Sequence, residues 1–318
     1  MGGAFANHRS LGCWLAALAS GAFLYGADLD EPALRADELV YDAAAEAVRH
    51  GDPPGSVRGW YYPDSLAHAA AALPEPRWLP LRTLDLTGAI VTAAVAAESM
   101  GMPLVAILVM LSPPVVSGIG AGNVSGLLTG LCAAAARWPR GAVGLLPVGA
   151  LIKPYTLGSA LAAGPVLGGL TTLVAALAWR DATGSRALFN LDSDPNSSLV
   201  RALHQLGLAV PWEVPSGAAL LGALWFGKRN PARAAALGWL ALPIAWDHTA
   251  LLGLLAAALA WPNVWGPREK LALVWCATVF CRAHYFAIPD GPDWASGLLG
   301  LMPATAALTV AILARPVR

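Results

Sequence analysis

Asp37, Tyr41, Lys153 and His248 are the side chains of this sequence whose types and settings suit chemistry. The stretch ADELVYDAAAEAVRHGDPP, from Ala36 to Pro54, places Asp37, Glu38, Asp42 and Glu46 within about three helical turns, in a chain only 13% charged. A carboxylate held where water meets an apolar phase, partly desolvated, can take a proton from an adding nucleophile. Asp37 and Tyr41 share the helix face that continues through Ala44 and Val48, whereas Asp42 and Glu46 point elsewhere with Arg49. The competing reading makes Asp37 a helix cap and the other acids a solvated face. Lys153 is the only lysine in the first 227 residues and lies between apolar runs. An ammonium there is costly unless it meets an anion or snorkels to an interface. His248 follows Trp246-Asp247, and a lone histidine is as readily structural as functional.

The elements that must position these residues follow from composition. The 318 residues are 57% hydrophobic, the mean hydropathy is +0.57, and an ordinary soluble domain carries about 25% charged residues. The expectation is an all-α, polytopic integral membrane protein, one domain over 1–318. Its candidate spans are 11–26, 84–99, 103–118, 122–136, 141–152, 155–163, 165–179, 213–227, 233–246, 249–264, 269–287 and 293–314. Many fall short of the roughly 20 residues that span a bilayer, so about 10 to 12 transmembrane or broken helices are expected. Residues 1–26 resemble a signal peptide but read as a retained first helix, because span follows span. With both termini cytoplasmic, the basic turns at Arg137 and Arg140, Lys228 to Arg233, Arg268 and Lys270, and Arg315 and Arg318 fall on the inner side.

That threading turns two long polar segments outward, 27–83 and 180–212, and function is expected there, in the cell membrane at its extracytoplasmic face. Trp60, Tyr61 and Tyr62 are expected at the headgroup level. Asp37 to His50 predicts a surface helix stopped by Gly51, and Lys153-Pro154 predicts the tip of a broken hairpin. The cysteines Cys13, Cys132, Cys276 and Cys281 read as buried small hydrophobes, with no zinc or redox spacing. Net charge is zero, which argues against a nucleic-acid partner. Asp192 and Asp194 make no metal-like cluster, and no metal or other cofactor is expected. Nothing turned inward resembles a nucleotide site, so a lipid-carried substrate, arriving by lateral diffusion, is expected.

Taken together, Asp37-Glu-Leu-Val-Tyr41, His50-Gly-Asp-Pro53 and Trp60-Tyr-Tyr-Pro63 resemble the first outer loop of glycosyltransferase family 87. Further matches follow in order: Ser112-Pro-Pro114 with Gly120-Ala-Gly-Asn123, Ile152-Lys-Pro-Tyr155, Asn196-Ser-Ser-Leu199, and Pro243-Ile-Ala-Trp-Asp-His248. They extend over about residues 10 to 290. Gly122-Asn123 stands where the family usually has Gly-Gln, a second histidine often follows the position of His248, and many family members are longer.

The resemblance implies a GT-C-type helical bundle that transfers a mannose- or arabinose-like sugar from a polyprenyl-phosphate donor to an envelope lipid or glycan, with inversion. It implies Asp37 as base, Lys153 and His248 at the donor phosphate, and Tyr41, Tyr62, Asn123, Tyr155 and Asn196 at the substrate; Arg282, placed near the outer end of a late span by the threading, is a second candidate for the phosphate. Arg282 has a second reading, as a neighbour of Asp290. A transporter or flippase of lipid-linked sugars is the rival; it predicts internal symmetry and polar residues at the bilayer midplane. A ligase of whole glycans and a non-catalytic scaffold are further alternatives.

Overall fold

The structure, a computed structural model, describes residues 2–27, 36–58, 60, 62–73, 78–180, 198–228, 230–242, 245, 247–283 and 293–315. Among them the chain forms sixteen α-helices and no strand. The first ten are α1 (Gly2–Gly26), α2 (Ala36–His50), α3 (Asp64–Ala71), α4 (Trp78–Met100), α5 (Pro103–Met110), α6 (Pro113–Ala121), α7 (Ser125–Arg137), α8 (Leu146–Ile152), α9 (Leu157–Ala163) and α10 (Pro165–Arg180). The rest are α11 (Leu199–Gln205), α12 (Glu213–Phe226), α13 (Pro231–Leu240), α14 (Ala250–Ala260), α15 (Pro267–Cys281) and α16 (Asp293–Leu313).

Alanine recurs at the buried positions alongside larger side chains such as Trp239, Phe280 and Leu251, and many large apolar side chains also stand on the outside. Ala89, Ala93, Ala94, Ala96 and Ala97 of α4 are buried, as is nearly all of α13 and α14, while α1 exposes Leu11, Leu15, Leu18 and Phe23. The outer helices α10 and α12 do the same with Val166, Leu170, Leu173, Trp225 and Phe226. Small interfacial residues let helix backbones approach closely. The tightest case joins α4 to α7: a β-carbon on Gly88 would stand 2.3 Å from the Gly126 carbonyl oxygen, and one on Gly130 2.5 Å from the Gly88 Cα. Gly126 and Gly130 are four apart, a small-xxx-small contact that only glycine fits.

Breaks fall where proline forbids a continuous helix. Pro113 and Pro114 follow Ser112, and α5 and α6 meet at a 46° bend. By length and composition this bent pair could cross a membrane, whereas no single helix among the described residues is long and apolar enough to do so. Lys153 is extended (φ −151°, ψ 150°) between α8 and a 3₁₀ turn at Pro154–Thr156, giving the broken hairpin that the sequence predicts.

Helix α2 also forms as predicted. It begins at Ala36, so Asp37 lies inside the first turn rather than capping it, and Gly51 ends it at φ +83° with Asp52 N–H donating to the Ala47 carbonyl at 2.8 Å. Cys13, Cys132 and Cys276 are buried and Cys281 half-buried, all as free thiols.

Candidate functional site

Three chain breaks converge at one end of the bundle: the start of α2, the turn between α6 and α7, and the break between α8 and α9. Gly122 ends α6 in the left-handed region (φ +69°, ψ 29°), turning Asn123 back toward the bundle. Asn123 accepts at Oδ1 from Ser125 N–H (3.0 Å) and Ser125 Oγ (2.7 Å), which fixes the amide. Its Nδ2 donates to Asp37 Oδ2 in a short hydrogen bond. Asp37 is half-buried, and its Oδ1 has no hydrogen-bond partner among the described residues.

Glu38, the next residue on α2, is buried and reaches Arg82 Nε of α4 at 3.6 Å. On the same helix face Tyr41 is buried with Tyr62 and Trp60, ring centroids 5.0 Å and 6.2 Å away. Burial, reinforced by the Asp37 carboxylate, pushes the Tyr41 and Tyr62 phenols well above the usual tyrosine range, so both stay protonated.

Lys153 is buried beneath these rings, its Nζ 4.9 Å from the Tyr62 centroid and 5.7 Å from that of Tyr155. Such distances suit cation–π attraction. The carboxylates of Asp37 and Asp85 both act electrostatically on the ammonium. Asp85, 3% exposed, takes the Leu127 N–H at 3.1 Å and the Gly126 N–H, so it neutralises the N-terminus of α7. His248 is buried on the face of α6 that also meets Asp85: a β-carbon on Gly118 would lie 3.5 Å from His248 Cβ and 3.9 Å from Asp85 Oδ2.

The structure thus brings together Asp37, Tyr41, Tyr62, Asn123, Lys153 and Tyr155, with His248 adjoining. It does not bring in Arg282, which stands exposed at the end of α15 on the rim of a separate apolar groove shared with Ser112 and Thr278. Asn196, Asp192, Asp194 and Asp290 lie outside the described residues.

Trp60 and Tyr62 are core side chains, 1% and 2% exposed, packed with Tyr41 and with each other. Of the two settings open to Lys153, beside an anion or snorkelled to a surface, the structure excludes the second: it is 7% exposed, among aromatic faces and with Asp37 and Asp85 acting on it. Sequence reasoning also passed over Asp85 and the Glu38–Arg82 pair. The available signal was an acid inside the apolar run 84–99, where an ionisable side chain is a site candidate by default.

Chemically, the arrangement offers an oriented carboxylate with one open oxygen, a sheltered cation, and protonated phenols between them. Among the described residues no group of histidine, cysteine or acidic side chains is arranged to hold a metal ion. Comparison of the chain with known protein families, with curated proteins and with solved structures returns no match.

Proposed function

We propose that this protein is a polytopic membrane glycosyltransferase of GT-C type, which uses a polyprenyl-phosphate sugar and acts on an envelope lipid or glycan at the extracytoplasmic face. The observation that carries the reading is the proximity of half-buried Asp37, oriented by Asn123, to buried Lys153, lodged against the Tyr62 and Tyr155 rings. The bilayer placement is supported by the large apolar side chains on the outside of the bundle and by its polar ends. Asp85 and Glu98 of α4 are 13 residues apart, about 20 Å along the helix. The Glu98 end carries Arg9 and Arg137, and the positive-inside rule favours it as the inner end.

In the reaction, an acceptor hydroxyl oxygen bonds to the anomeric carbon as the bond from that carbon to the phosphate oxygen breaks, with inversion. The hydroxyl proton passes to Asp37 Oδ1, and the departing polyprenyl phosphate keeps the bonding electrons, its growing charge met by Lys153. His248 and the Tyr41 and Tyr62 phenols line the donor, and Asp85 acts behind them, holding α7 and the lysine.

The test is transfer from a panel of radiolabelled polyprenyl-phosphate sugars into membrane lipid or glycan, comparing wild type with Asp37→Asn at matched expression. Transfer that falls by about 10²-fold or more in a normally folded variant supports both enzyme and base. Transfer unaffected by the substitution removes Asp37 as base, and no transfer from any donor overturns the reading.

A further inference from the structure

At the end of the bundle opposite Asp37, α1, α4 and α7 border an open cleft of about 480 Å³ lined by Arg9, Ser10, Cys13, Glu98, Gly101 and Arg137. Glu98 is fully engaged there. Its Oε1 accepts from Ser10 Oγ and from Trp14 Nε1 at 3.1 Å, and its Oε2 from Arg137 Nε at 2.8 Å. Only Nε of Arg137 is used, so its terminal nitrogens, on a side chain 48% exposed, are held in place and make no hydrogen bond among the described residues. The guanidinium also lies 5.6 Å from the Trp138 ring, itself 5.9 Å from Trp14. A guanidinium fork is therefore set before any ligand arrives. Arg9 stands exposed on the same rim.

Two guanidiniums against one carboxylate whose oxygens are both occupied leave the cleft net positive. The surface beside it is apolar: Leu11 and Leu15 of α1, Met102 and Leu104 of α5 are exposed. The two helices touch at this level, since a β-carbon on Gly12 would meet Pro103 Cγ at 3.5 Å. Cationic forks flanked by bare apolar helix describe the complement of an amphiphile with an anionic head.

We propose that this cleft is a binding site for an anionic phospholipid of the inner leaflet. Arg9 and the terminal nitrogens of Arg137 take the phosphodiester oxygens, and an acyl chain lies along Leu11, Leu15 and Leu104. A planar fork matches two phosphate oxygens at once, which a point charge does not. A free phosphate ion would leave the apolar flank uncovered. The inference rests on the bilayer placement proposed above but not on glycosyl transfer.

The test uses the full-length chain in nanodiscs of phosphatidylcholine with a minor fraction of phosphatidylglycerol, with retained lipid counted by native mass spectrometry after extraction. Phosphatidylglycerol should be retained over phosphatidylcholine by about tenfold or more relative to its share of the bilayer. Arg9→Gln and Arg137→Lys should each lower that preference severalfold; Arg140→Gln, which removes an exposed charge not lining the cleft, should leave it intact. Should Arg137→Lys not fold, Arg9→Gln, at an exposed position, carries the comparison. Equal retention of the two lipids, or a preference unchanged by Arg9→Gln, overturns the site. Displacement by excess inorganic phosphate overturns the lipid assignment in favour of a simple anion site. The transfer assay is a separate readout, so loss of lipid preference and loss of the enzymatic reading are distinguishable.

Discussion

Glu38 lies directly on Gly122: a β-carbon added to that glycine would stand 2.2 Å from Glu38 Cγ and 2.8 Å from its Cδ. Since Asn123 bonds Asp37, the consecutive residues Asp37 and Glu38 of α2 meet Gly122 and Asn123 residue for residue. This is how a helix joined to the bundle by long connections presents one carboxylate at a defined angle.

Gly122→Ala should break that docking. The left-handed backbone (φ +69°) and the steric conflict with Glu38 add, for at least about 2 kcal/mol, read as a lower melting temperature and faster proteolysis within α2. Gly51→Ala supplies the comparison. It too has positive φ (+83°), but nothing lies within 4 Å of its added carbon, so only the backbone cost of about 1 kcal/mol remains. Equal losses at the two positions would refute the contact with Glu38 as the larger effect.

Glu38→Leu combined with Arg82→Met should cost less than the sum of its single changes, because the two side chains meet at 3.6 Å with 4% and 11% of their side-chain surface exposed. A thermodynamic cycle on chemically denatured, detergent-solubilised protein measures this. Additive changes would mean that the pair is not coupled.

The tyrosines give a pH dependence. Their folded pKa values are raised, so at high pH the unfolded chain loses these protons first, and the folded state retains them. Stability from this source is whole below the ordinary tyrosine value of about 10 and is lost as pH climbs past it. In an alkaline absorbance titration Tyr41 and Tyr62 should ionise only as the protein unfolds, and Tyr41→Phe with Tyr62→Phe should reduce the amplitude of that late phase. An unchanged late phase would show that these phenols reach water in the native fold.

Lys153→Met should lower kcat/KM for lipid-phosphate donors by about 10²-fold or more, since the cation meets charge that grows as the phosphate departs. Lys153→Arg should recover part of the loss. A folded Lys153→Met protein with wild-type transfer would take the lysine out of the reaction.

What the sequence made legible was local. The helix from Asp37 to His50, its glycine stop, the face shared by Asp37 and Tyr41, and the break at Lys153-Pro154 each depend on residues within a few positions of one another. The environment of Asp85 was hidden because its partners are backbone N–H groups of Gly126 and Leu127, which no side-chain motif announces. The burial of Trp60 and Tyr62 was hidden for a related reason: nothing in a polar segment announces the ring of Tyr41 that packs against them. Arg282 was grouped with Lys153 by sidedness alone, and sidedness does not distinguish one groove from another.

The contact of Gly88 with Gly126 and Gly130 has a mechanical consequence. Helices α4 and α7 touch backbone to backbone at Gly88, beside the tie from Asp85 to the start of α7, and are tied again by Glu98 on Arg137 at the other end of α7, which opposes sliding past each other. They act as a beam whose tie points keep a fixed spacing of about 20 Å, against a hydrocarbon core of about 30 Å. In the bilayer placement proposed above, a thicker membrane would be accommodated by tilt of the whole beam or by thinning of the lipid around it.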